Sequence, residues 1–186
     1  GGRARALRGA WRAARAPDWA CEGAVTDHDE QPRRYFDRGA PEYSLGRYGR
    51  IVDFLAADAG AAASLLDVGC GTGNVLQLLA RYTPVSTLAG IDISRACLEQ
   101  CSRAVPGCAT WPASILDDDL RETVGRSFRY VLVGAVLHHL VGPSRARSLA
   151  MARRGLANAW SLVEPGGGLI VSEPTFRPRW AMATLF

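Results

Sequence analysis

Residues 65–73 read L-L-D-V-G-C-G-T-G, and N-V-L-Q-L-L-A-R follows at 74–81 with the apolar spacing of a helix. An apolar run carries an acid, Asp67, near its end, and glycines then stand at every second position, Gly69, Gly71 and Gly73. The pattern predicts a strand, a tight glycine turn and a helix start. Glycine is needed where backbone turns with positive φ or comes close to a ligand. The exposed amides of a helix start can hold polar ligand groups. An ordinary strand-to-helix turn would be satisfied by one or two glycines. Three glycines with an acid at the strand end favour a ligand turn.

The dinucleotide fingerprint is G-x-G-x-x-G or G-x-G-x-x-A after an apolar strand. Here the third glycine comes one place early, at Gly73, and Asn74 fills the expected position. A carboxylate at Asp67 would repel a pyrophosphate. It suits a ligand with a cationic amine, and S-adenosylmethionine carries an ammonium and a sulfonium without a phosphate.

Four segments in order then resemble the class I S-adenosylmethionine-dependent methyltransferases, over about Tyr35 to Pro174: L-L-D-V-G-C-G-T-G at 65–73, G-I-D-I-S at 90–94, F-R-Y-V-L-V-G-A-V-L-H-H-L at 128–140 and E-P-G-G-G-L-I-V-S-E-P at 164–174. Each alone is a weak signal, and the four in sequence are strong. The resemblance implies a methyl transfer to a small-molecule acceptor with S-adenosylmethionine as cofactor. It implies that Asp67 engages the ligand ammonium and that Gly69, Cys70, Gly71 and Gly73 let the ligand lie against the backbone. Asp92 is similar to the acid that takes both ribose hydroxyls, a task that suits two carboxylate acceptors. Ile93 would cover the adenine, with Ser114, Ile115 and Gly134 as further cofactor contacts. Many members carry an acid near Ser114, so that contact is weaker here or comes from Asp117. Asp92 has a second reading, as the N-cap of the segment starting at Ser94. Cys70 is assigned no catalytic role.

His138 and His139 are adjacent after an apolar strand. Metal-binding histidines on a helix are usually three or four residues apart and face one ion, so no metal is expected. L-H-H-L resembles a subset of the family that acts on small molecules. His138 and His139 are therefore the catalytic candidates, one of them facing the substrate cavity, where a neutral imidazole can accept a proton. The chemistry asks the protein mainly for alignment, which can contribute roughly 7–11 kcal/mol.

The 186 residues and 48% hydrophobic content fit one domain with a sizeable core. No apolar run is long enough for a membrane helix. Cys21, Cys70, Cys97, Cys101 and Cys108 show no paired metal spacing and read as reduced thiols of a cytoplasmic protein. The chain has no lysine, and five arginines (Arg3, Arg5, Arg8, Arg12, Arg15) lie in the first 16 residues, which contain no acid. The other 17 arginines against 18 acids leave a body of net charge −1, so the overall +4 belongs to the arm. Residues 1–34 are read as this arginine-rich arm, flexible or partly helical. It is a solvated extension, a contact for nucleic acid or an acidic surface, or a transit-like segment. Residues 35–186 are read as the methyltransferase-like domain.

Strands are expected near 64–68, 87–91, 108–112, 129–134 and 168–173, and helices near 74–82, 95–104 and 144–162, with a helix and preceding segment in 35–58. Alternation predicts an α/β, doubly wound, mostly parallel Rossmann-like sheet with helices on both faces. Tyr35, Phe36, Tyr43 and Tyr48 are candidates for closing the site. Only 12 residues follow Pro174. The family's C-terminal helix and antiparallel strand pair would then be missing, and a partner chain or absent segment is expected to complete the sheet. Two other functions stay open. An RNA or DNA methyltransferase tethered by the arm is disfavoured by the neutral body and by G-A-V-L-H-H in place of a D/N-P-P-Y/F signature. A non-catalytic scaffold is disfavoured by retention of Asp67, the glycines and Asp92.

Overall fold

In a computed structural model that describes residues 48–174, Ser64–Val68 forms the central strand, β1, of a five-stranded sheet. Helix α1 (Gly49–Asp58) precedes it. After it come α2 (Asn74–Tyr82), β2 (Thr87–Asp92), α3 (Arg95–Ala104), β3 (Ala109–Pro112) and α4 (Leu120–Val124). The chain continues through β4 (Phe128–Gly134), a single 3-10 turn (Leu137–His139), α5 (Arg145–Ser161) and β5 (Val163–Ser172). The order is β3-β2-β1-β4-β5 and every pairing is parallel. The expected architecture is therefore the one observed.

All five residues of β1 are buried. A strand covered on both faces reads as a continuous apolar run, and successive side chains enter opposite layers. Leu65, Tyr130 and Leu132 face a core completed by Ile51, Leu55, Leu76, Leu79, Leu98 and Cys101 from α1, α2 and α3. Leu66, Val68, Ile91, Val131 and Val133 face a second core with Leu120, Val124, Met151 and Ala159 from α4 and α5. Asp67 therefore stands on the Leu65 side of the sheet, toward α2 and α3.

Two of the long helices begin on a serine cap: Ser94 Oγ accepts from the Cys97 amide at 3.1 Å and Ser144 Oγ from the Arg147 amide at 3.2 Å. Helix α2 begins instead on Gly73, with no side-chain cap.

Three expectations need adjusting. Strand β5 starts at Val163, well before residue 168, because Glu164–Gly167 is not a free turn. Val163 pairs with Phe128 and Gly168 with Tyr130 across a bulge. Helix α4 was not anticipated, since five residues carry no readable period. Helix α5 spans 145–161 rather than 144–162, with Ser144 as its cap. The arm, Tyr35, Phe36, Tyr43, Cys21 and residues 175–186 lie outside the described residues. Among those described, β5 is paired with β4 on one side only.

Candidate functional site

Strand order reverses between β1 and β4: the chain runs from β1 to β2 and β3 on one side and then returns to β4 and β5 on the other. In a parallel open sheet, ligands bind outside the carboxyl ends of the strands at such a point. The glycine turn lies there. The Gly69 and Cys70 amides both donate to the Ile91 carbonyl, at 2.8 and 3.0 Å, which draws the turn over the end of β2. Gly71 has φ +52° and Gly73 φ +85°. A Cβ on Gly73 would lie 2.8 Å from Cys101 Sγ and 3.2 Å from its Cα, so α3 packs against this backbone. Among the described residues, a Cβ on Gly71 would meet nothing within 4 Å, so none of them fills the space above it.

Asp92 ends β2 and locks the turn to it. Its Oδ2 accepts from the Gly71 amide and its Oδ1 from the Ser94 amide, both at 2.9 Å. The cap of α3 is thus Ser94 itself, and the N-cap reading of Asp92 is corrected: it orders the residue that caps. Each carboxylate oxygen can accept more than one hydrogen bond. Ile93, next to it, is half-buried.

Asp67 is 3% exposed, and no hydrogen-bond donor among the described residues reaches its carboxylate. Burial, then Cys101 and Asp92, push its pKa well above the usual carboxylate range. A buried charge without a partner is expensive, and such a group in a native fold calls for an explanation. Cys70 turns inward, where a Cβ on Gly90 would lie 2.5 Å from its Sγ. A hydrogen bond with Cys101, then burial, push the Cys70 thiol up. It is a packed thiol, not a nucleophile.

The histidine loop is built on the opposite wall. Ala135 has φ +58°, the sole non-glycine residue with positive φ among those described, and its amide donates to the Ser172 carbonyl at 2.8 Å. This turn lays Val136 on the glycine loop: a Cβ on Gly69 would lie 2.5 Å from Val136 Cγ2. Glu173 then fastens the segment. Its Oε1 accepts from the Val136 and Leu137 amides, at 2.7 and 2.8 Å, and its Oε2 lies 2.8 Å from His138 Nδ1. Burial alone would raise the Glu173 pKa. The hydrogen bonds from His138, Leu137 and Val136 outweigh it and hold the group below the usual value. Sequence reasoning missed Glu173 as a site residue, although it follows a parallel strand just as Asp67 and Asp92 close theirs.

The His138 and His139 rings are in contact, tilted by 40° with centroids 4.0 Å apart. Burial, with His138 as neighbour, lowers the His139 pKa to about 4. The unfolded chain therefore binds a proton at His139 between pH about 6.5 and 4 that the folded chain refuses. Stability should fall as pH drops through that window, by on the order of 2–3 kcal/mol. Urea unfolding of His139→Gln across pH 4–7 should show a flatter dependence than the native chain. An unchanged slope would mean that His139 is not held neutral.

Other expected contacts are placed as follows. Ser114 is buried, its amide donates to Asp117 Oδ2 at 2.8 Å, and its Oγ accepts from the Leu116 amide at 3.2 Å. Asp117 is thereby engaged in shaping the turn after β3. Ile115 packs on Gly155 of α5, where a Cβ would meet its Cδ1 at 3.3 Å. Its side chain belongs to the second core. Gly134 closes β4 beneath Tyr48, whose hydroxyl would be 2.9 Å from a Cβ there. Tyr48 is buried in the first core, with its hydroxyl at the carboxyl end of the sheet. The glycine turn, Asp67, Asp92, the Gly134 end of β4 and the histidine loop converge. Ile115 does not join them through its side chain. No group of three or more metal-ligating side chains occurs among the described residues.

Known proteins share the sequence pattern and the fold of this chain. A family model described as a methyltransferase domain matches residues 66–169. A 37.1 kDa protein in transposon TN4556 of Streptomyces fradiae is 30% identical over 154 residues, which are 82% of this chain and 41% of that protein. A trans-aconitate 2-methyltransferase of Methylobacterium nodulans is 30% identical over 128 residues, 66% of this chain and 50% of that protein. The chain thus spans half or less of the length of these relatives. Among solved structures, S-adenosylmethionine-bound CalS10, an amino pentose methyltransferase from Micromonospora echinaspora, superposes with a TM-score of 0.57 at 26% identity. That match covers 86% of this chain and 61% of CalS10. DesVI of Streptomyces venezuelae superposes with a TM-score of 0.55 at 25% identity, covering 83% of this chain and 60% of DesVI.

Proposed function

The chain belongs to the methyltransferase-domain family, and on that premise we propose that it moves a methyl group from S-adenosylmethionine to a small-molecule acceptor. One observation carries the reading: the Asp67 carboxylate is buried beside the glycine turn without a donor among the described residues. An ammonium placed there would supply the missing partner in a charge-assisted hydrogen bond. Three further features fit the same ligand. No described residue fills the space above Gly71. Helix α2 starts without a side-chain cap, so its first amides remain available. Asp92 places a two-oxygen acceptor at the end of β2 beside the glycine turn, suited to the ribose hydroxyls, and half-buried Ile93 is the neighbouring apolar surface for adenine.

When bound, S-adenosylmethionine supplies an activated methyl on a sulfonium. The residues of this chain hold and orient. Asp67 and the glycine turn fix one end, Asp92 the other, and the loop at 135–139 forms the wall from which His138 or His139 can take a proton from the acceptor. Gly134 lies between these two sets. The relatives named above act on trans-aconitate and on an amino pentose, so small polar acids and sugars are the acceptors to test first. No helix among the described residues is long and apolar enough to cross a membrane. Cys70, Cys101 and Cys108 are thiols rather than disulfides, which accords with a cytoplasmic setting. Val171 is exposed on the edge strand β5, which suits a covering segment or partner chain there.

The test is transfer of a tritiated methyl from S-adenosylmethionine to a panel of small acids and sugars. Label is expected in one of these acceptors and not in RNA or DNA. Label in nucleic acid alone would overturn the small-molecule reading.

A further inference from the structure

Glu173 joins two things that are far apart in sequence, the backbone of the histidine loop and one ring nitrogen of His138. Its Oε1 takes the two consecutive amides of Val136 and Leu137. Its Oε2 is left for His138 Nδ1, at 2.8 Å. The side chains of the pair are only 16% and 19% exposed, so water competes little for the contact. Ala135, in a left-handed conformation, turns the chain toward Glu173 and onto Gly69. A non-glycine residue held there is strained, and such strain clusters where geometry is enforced. The whole arrangement fixes one imidazole in a loop that packs on the glycine turn through Val136.

We propose that Glu173 is a positioning residue that holds His138 in the Nδ1–H form, so that Nε2 carries the lone pair and the site serves an acceptor with a proton to lose, a hydroxyl or an ammonium. The inference rests on the methyl-transfer reading above. An ionised carboxylate is an acceptor only, so Nδ1 donates to it and the other ring nitrogen is the base. The carboxylate also stabilises the imidazolium that forms. For a hydroxyl acceptor, the oxygen forms a bond to the methyl carbon, and the carbon–sulfur bond breaks with its electron pair remaining on sulfur. The hydroxyl proton goes to His138 Nε2. The positive charge of the sulfonium is thereby replaced by that of the imidazolium beside Glu173. A carboxylate acceptor has no proton to give and gains nothing from this pair. Trans-aconitate, the substrate named for some relatives, is therefore disfavoured here.

The test variant is Glu173→Gln. Its amide oxygen can still accept from Val136 and Leu137, while its NH₂ donates to Nδ1 and forces the proton onto Nε2. Nitrogen-15 NMR of histidine-labelled full chain, with His138 assigned from the spectrum of His138→Gln, should show the Nδ1–H form in the native protein and the Nε2–H form in the variant. With a hydroxyl- or amino-bearing sugar as probe, kcat should fall roughly 10²–10⁴-fold with KM and S-adenosylmethionine affinity unchanged. An Nε2–H tautomer in the native protein, an unaltered tautomer in the variant, or native turnover of the sugar by the variant would each overturn the proposal. So would methylation of trans-aconitate in preference to the sugar. Loss of S-adenosylmethionine binding by the native chain would instead sink the methyl-transfer reading, and the tautomer measurement would still decide what Glu173 does.

Discussion

Asp67→Asn is expected to stabilise the ligand-free protein and to remove most of its affinity for S-adenosylmethionine. Burial, with Cys101 and Asp92 adding, raises the Asp67 pKa in the folded state. The sign follows from linkage: the folded chain binds this proton more tightly than the unfolded chain. The favourable contribution is thus present at low pH and lost as pH rises through the folded-state value. At neutral pH, well above the unfolded-state value, keeping this carboxyl buried is therefore a net cost to folding. Asparagine keeps the shape and drops the charge, so the variant should gain on the order of 1–3 kcal/mol. For a domain of this size that is roughly 2–4 °C in melting temperature per kcal/mol. The same substitution removes a charge-assisted contact to the ligand ammonium. Such contacts are worth about 1.5–3 kcal/mol, so calorimetry should show affinity falling by about one to two orders of magnitude. A variant that is less stable and binds as tightly as the native chain would make Asp67 a structural residue.

The glycine turn should separate stability from binding when two of its residues are changed one at a time. Gly73→Ala places a methyl where Cys101 already sits, 2.8 Å from Sγ and 3.2 Å from the backbone Cα, at φ +85°. Left-handed strain costs roughly 1–2 kcal/mol and forced overpacking a further 1–3 kcal/mol. The variant should therefore lose about 2–4 kcal/mol in urea unfolding. Gly71→Ala suffers the backbone strain without such a clash, because among the described residues its new methyl would meet no atom within 4 Å. It should fold with a loss of roughly 1–2 kcal/mol and yet bind S-adenosylmethionine at least tenfold more weakly, since the methyl enters the space assigned to the ligand. Equal affinity in Gly71→Ala and the native chain would place the ligand elsewhere.

These contrasts also show what could be read from the chain before its fold. The run L-L-D-V-G-C-G-T-G was legible because a buried parallel strand, a glycine turn and a helix start each leave a local mark. Asp92 was legible as the acid closing the next strand. Its double grip on the Gly71 and Ser94 amides was not, because hydrogen-bond partners 21 residues apart are set by strand pairing. Glu173 stands 35 residues from His138, and only the pairing of β4 with β5 brings them together. Its position directly after a parallel strand was the available signal, and E-P at 173–174 was read only as the end of the fourth family-like segment. The start of β5 was misplaced because E-P-G-G-G reads as a turn. Gly167 in fact belongs to the strand, where a Cβ would lie 2.5 Å from the Arg129 carbonyl oxygen. Ile115 was assigned to the ligand by its place after β3. The side chain instead fills space against Gly155, a long-range packing fact with no local mark.

The central claim is that the glycine turn, Asp67 and Asp92 together hold S-adenosylmethionine. A crystal structure of the chain with S-adenosylhomocysteine tests it most directly. The account predicts the amino group in hydrogen-bond contact with Asp67, directly or through one water, the ribose hydroxyls on Asp92, and the ligand lying over Gly71. A ligand bound away from the carboxyl end of β1, or one that leaves the Asp67 carboxylate unpartnered, would contradict it.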